Sequence, residues 1–91
     1  MTNSEVFNIV HSLYDVYSKN PNITVTCRIE TKHRVYSGKF VFDEKEIISD
    51  NILTLCDTII ADKVDTTDYI RDDKTIISFS AITVFSFSIK N

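Results

Sequence analysis

Glycine, proline and tryptophan are nearly missing from this chain, which has one glycine, one proline and no tryptophan in 91 residues. A single glycine rules out a glycine-rich phosphate cradle. It also leaves few turns that need a positive φ, so the position of Gly38 is informative. Long apolar runs are missing too: none approaches the roughly 20 residues that span a bilayer. The opening MTNSEVF has neither a basic nor an apolar leader segment. The expectation is a cytoplasmic or nuclear protein without membrane contact. Two cysteines, Cys27 and Cys56, sit among apolar neighbours in strand-like stretches, where a thiol serves as a small hydrophobe rather than half of a disulfide.

Groups that do chemistry are equally scarce. His11 and His33 are the only histidines, far apart and without a carboxylate or cysteine at a ligand spacing. Asp62, Asp65, Asp68, Asp72 and Asp73 crowd one segment, but lack the alternation, central glycine and closing glutamate of a calcium loop. Cys27 has no neighbour in sequence that would lower its pKa. The sequence therefore predicts no enzyme, no catalytic residue, no metal, no cofactor and no small-molecule substrate.

What is present is an ordinary globular composition, 43% hydrophobic and 25% charged, in a length that holds one core and favours association. The net charge of -3 is uneven, with ten acidic residues against three basic ones between positions 41 and 73. Lys32, His33, Arg34 and Lys39 gather around one presumed hairpin. No stripe is basic enough for a duplex-binding surface.

Periodicity supplies the elements, and residues 1–91 read as a single domain. Thr2 and Glu5 form a capping-box pattern, and Val6, Ile9, Val10, Leu13, Val16 and Tyr17 recur at helical spacing, so residues 2–19 are a predicted helix stopped by Asn20 and Pro21. Alternation then predicts strands over 23–30 and 35–43, with the lone glycine inside the second. A charged connection over 44–50 and a third strand over 51–60 follow. Residues 61–74 read as a long acidic loop. The stretch 75–89 is too long for one strand, which predicts a break near 78–81 and two strands at an angle. At period-2 spacing Phe40, Phe42, Phe79, Phe85 and Phe87 fill the core; Tyr36, beside Arg34, is best placed to stack on a nucleic-acid base.

The run Arg34-Val35-Tyr36-Ser37-Gly38-Lys39-Phe40, followed by Val41-Phe42-Asp43 and by Asn51-Ile52-Leu53-Thr54-Leu55-Cys56-Asp57, resembles the first motif of the Sm-like (LSm) family. Ile77-Ser78-Phe79-Ser80-Ala81-Ile82 resembles a degenerate second motif, with Ser78 and Phe79 where the family has arginine and glycine. The resemblance implies a mostly β fold over 22–89: an N-terminal helix, then a five-stranded, strongly bent antiparallel sheet forming a small Sm-like or SH3-like barrel. It implies a non-catalytic assembly module in RNA metabolism, a homo- or hetero-oligomer joined by edge strands, with Ile77, Phe79, Ile82, Val84 and Phe85 at the subunit pairing. It further implies contacts to single-stranded RNA through Asp43 and Asn51, to which the residues add Arg34 and Tyr36. A second expectation is a small viral or mobile-element protein that binds a host protein through its helix face or sheet edge, with no RNA role.

Overall fold

The computed structural model describes residues 1–65 and 67–91. Helix α1 (Asn3–Lys19) is followed by strands β1 (Thr24–Glu30) and β2 (Arg34–Val41), a π-helical turn (Glu46–Asp50), β3 (Ile52–Asp62), β4 (Tyr69–Ser78), a 3-10 turn (Phe79–Ala81) and β5 (Val84–Lys90). All pairings are antiparallel, in the spatial order β4-β3-β2-β1-β5.

Local chemistry explains the ends of α1. The Thr2 side chain accepts from the Glu5 N–H, and the Glu5 carboxylate accepts from the Thr2 N–H at 3.1 Å, which satisfies two of the orphan donors of a helix start. These bonds hold the Glu5 carboxyl below its ordinary pKa. At the other end the Asn20 N–H closes back on the Val16 and Tyr17 carbonyls, and Pro21 prevents continuation.

One face of α1 supplies Val6, Val10 and Leu13 to a core shared with Val25, Cys27 and Ile29 of β1, Phe40 of β2, Leu53 and Leu55 of β3, Ile77, Phe79 and Ile82. Tyr17 stacks on Phe42 with ring centroids 4.1 Å apart, and Phe40 lies against the same ring at 4.7 Å. These rings pin the C-terminal half of α1 to the end of β2. The π-helical turn buries Ile47, and Thr54 on β3 donates to the Glu46 carboxylate at 2.6 Å, closing this connection onto the sheet.

The bend falls where the glycine is. Ser37 pairs with Ile59 and Lys39 with Cys56, so Asp57 and Thr58 together oppose Gly38, and Asp57 takes the left-handed conformation at φ 50°. A Cβ on residue 38 would sit 2.8 Å from Thr58 Oγ1 and 3.0 Å from the Cys56 carbonyl oxygen. Only glycine lets β3 pass this close.

Two expectations are corrected. The helix and the five antiparallel strands are present, but the sheet is not a barrel: β4 and β5 are its opposite edges, with no bonds between them. Closure needs matched stagger and repeated bending points around the sheet. This chain has one glycine and one bulge between β2 and β3, and its extents of 39 × 28 × 18 Å describe a slab. The acidic segment 61–74 is likewise not one long loop. β3 runs to Asp62, β4 starts at Tyr69, and the pairs Ile60↔Ile70 and Ala61↔Tyr69 hold them together. Charged residues suit a strand whose outer side is water, so Asp72, Asp73 and Lys74 do not interrupt it.

Candidate functional site

The open sheet leaves two edges, and they differ in chemistry. Along β4 the consecutive residues Arg71, Asp72, Asp73 and Lys74 are all exposed, with Tyr69, Ile70 and Ile76 exposed beside them. Charges in the middle of an edge strand hinder another strand from pairing there. Along β5, by contrast, Val84 to Ile89 carries no charge, and the single charge of the strand is Lys90 at its end.

Hydrogen-bond alternation shows which groups of β5 are free. The Thr31 N–H bonds to the Arg34 carbonyl at 2.9 Å at the tip of the β1–β2 hairpin. Antiparallel ladders bond alternate residues. The odd residues of β1 therefore bond to β2 and the even ones to β5, where their partners are Val84, Ser86, Ser88 and Lys90. Phe85, Phe87 and Ile89 direct their own N–H and C=O groups outward.

The same three side chains point to the face that carries α1, because they pair with the buried Ile29, Cys27 and Val25. Between this edge and the flank of α1 runs an apolar groove of about 400 Å³, lined by Asn8, Ile9, Ser12, Leu13, Val16, Phe87 and Ile89. Val16 is 42% exposed, Phe87 47% and Ile89 43%, so the groove is open along its length. Ile9 and Val16 belong to the apolar helix face that their spacing predicts. The available signal was the breadth of that face, which exceeds what a single open sheet can cover.

The expected pairing residues divide. Ile77, Phe79 and Ile82 lie within the chain's own core, whereas Val84 is exposed and Phe85 half-buried at the start of the free edge.

The four expected RNA contacts are not gathered at one place. Arg34 opens β2 and lines a small cleft with Asp62, Asp68 and Tyr69, an acidic setting ill suited to a phosphate. Tyr36 is half-buried on the core side of β2, opposite Ile29 and Ile60. Asp43 and Asn51 bracket the π-helical turn at the other end of that strand. The Asp43 carboxylate accepts the Glu46 N–H at 3.2 Å; Asn51 is left-handed at φ 52° and its carbonyl accepts the Phe79 N–H at 2.9 Å. That last bond joins the β2–β3 connection to the turn between β4 and β5.

The ionisable groups have structural work. Backbone donation from Val64 and Asp65 holds the Asp62 carboxyl below its ordinary pKa, which makes it a turn former. The Arg28 guanidinium, 3.0 Å away, does the same for Glu30, and Lys63 adds to it. Burial pushes the Cys27 thiol up to about 12, far from a reactive thiolate. Among the described residues no three His, Cys, Asp or Glu side chains come together in a way that could hold a metal ion. Comparison with protein-family models, with curated proteins and with solved structures finds no match for this chain.

Proposed function

We propose that this chain is a non-catalytic assembly module of the Sm-like kind, acting in RNA metabolism and joining sister or partner subunits through the edges of its sheet. One observation carries the proposal: an open five-stranded sheet whose β5 edge is uncharged from Val84 to Ile89 and leaves the apolar side chains of Val84, Phe87 and Ile89 exposed. Unpaired amides beside exposed apolar groups template another strand, and a protein that keeps such an edge uses it. Sedimentation equilibrium tests this directly. A concentration-dependent rise to a defined oligomer is expected, and a monomer at every concentration would overturn assembly with sister subunits.

Contact with single-stranded RNA is the second part of the proposal. What favours it is the Asn51–Phe79 hydrogen bond, which brings the Asp43–Asn51 connection and the turn before β5 to one rim of the sheet. A uridine-rich oligonucleotide titrated at low salt, where phosphate contacts are strongest, should bind. Asn51→Gly, which keeps the left-handed backbone, should weaken that binding several-fold without changing the mass of the assembly. No shift at low salt would remove RNA from the function.

A further inference from the structure

We infer that the partner of the β5 edge is the β5 edge of a second copy, the two strands running antiparallel across a two-fold axis at Phe87. This inference rests on the assembly role proposed above and names its interface.

Three features of the edge fit a copy of itself. The first is register. Phe87 is the midpoint of Val84–Lys90, so a two-fold there pairs the whole strand, Phe85 with the second Ile89 and Phe87 with the second Phe87. These are the same odd residues whose N–H and C=O groups point outward, so about six backbone hydrogen bonds form without moving a strand.

The second is composition. The paired side chains on the α1 face would be Phe85, Phe87 and Ile89 from each copy, and aromatic or aliphatic cross-strand pairs are among the more favourable ones. On the opposite face Ser86 meets Ser88, and Val84 meets the stem of Lys90. No acidic residue lies on β5 or in the groove, so identical surfaces approach without like charges meeting except at the distant Lys90 ends. The β4 edge has no such property, because Arg71 to Lys74 puts four charges in the middle of the strand.

The third is continuity. A two-fold perpendicular to the sheet keeps both α1 helices on the same side of it. The two grooves lined by Ile9, Val16, Phe87 and Ile89 then open toward each other across the new strand pair, and the exposed parts of these side chains cover one another. Water is removed from this uncharged groove by the same step that pairs the amides. An isologous contact of this kind closes at two copies.

Cross-linking at position 87 tests the interface. In a Cys56→Ser background, which leaves only the buried Cys27, Phe87→Cys places two thiols across the axis, at the Cα separation of about 5.5 Å that both a hydrogen-bonded pair and a disulfide adopt. Mild oxidation should convert most of the protein to a covalent dimer, and native mass measurement of the unaltered chain should give two copies. Phe87→Asp, at a position about half exposed, should keep the circular dichroism spectrum and give a monomer. A larger ring or an open polymer without the 87–87 cross-link would overturn the two-fold and leave assembly through edges standing. A folded monomer that does not cross-link would overturn both, and a Phe87→Asp protein that still dimerises would overturn the interface.

Discussion

Gly38 and Thr58 are one structural unit. The glycine exists so that the threonine side chain can pass, and the threonine hydroxyl, buried at 1% exposure, has no hydrogen-bond partner among the described residues. Gly38→Ala forces a methyl into a space bounded by the Cys56 carbonyl and Leu55, and should cost about 1–3 kcal/mol in urea unfolding. Thr58→Val keeps the shape and removes the orphan hydroxyl, so the same measurement should show no loss and up to about 1 kcal/mol of gain. The cysteines give a second contrast. Cys27 is fully buried with its thiol raised to about 12, while Cys56 is partly exposed, so a thiol reagent should modify Cys56 in the folded state and reach Cys27 only after unfolding. The sign of the linked pH effect follows from the raised value. The unfolded thiol ionises near its ordinary value of 9.0 and the folded one near 12, so Cys27 costs no stability below pH 9 and the fold weakens as pH rises from there toward 12. A Cys27→Ala protein, whatever its absolute stability, should show a flatter decline in unfolding midpoint across that window.

Among the elements, α1 is the one set most by its own residues. Thr2→Ala should lower stability by about 1 kcal/mol, read from the thermal midpoint, because it removes the hydroxyl that accepts the Glu5 N–H at the helix start. Its limits were legible for the same reason: Thr2, Glu5, Asn20 and Pro21 act within one turn of the helix ends. β1 and the heart of β2 were legible through alternation, and so was the break at Phe79–Ala81 through length alone. β4 was not. An edge strand contacts its sheet with one side of its backbone, so Arg71 to Lys74 can be charged there, and charge is also the signature of a loop. The π-helical turn was hidden as well, because Ile47 is a lone apolar anchor in a charged segment and its burial depends on residues distant in sequence. The candidate site was legible in part: Val84 and Phe85 lie on the free edge, but the pattern could not tell Ile77, Phe79 and Ile82, used in the core, from side chains left over for a partner.

At the scale of the molecule, the decisive property is that the sheet stays open. Alternation specifies which face of each strand is apolar, yet whether the first and last strands meet depends on accumulated twist and bend, and this chain bends sharply at one bulge. The outcome is a slab with a helix on one face, a charged edge at β4 and an uncharged edge at β5 beside an apolar groove. Amide hydrogen exchange of the unaltered chain, followed as its concentration is raised, reads that edge residue by residue. Pairing predicts that the amides of Phe85, Phe87 and Ile89, which face outward in a single copy, become strongly protected as concentration rises while those of Arg71 to Lys74 exchange at a constant rate. Rapid exchange at Phe85, Phe87 and Ile89 at every concentration would contradict assembly through this edge.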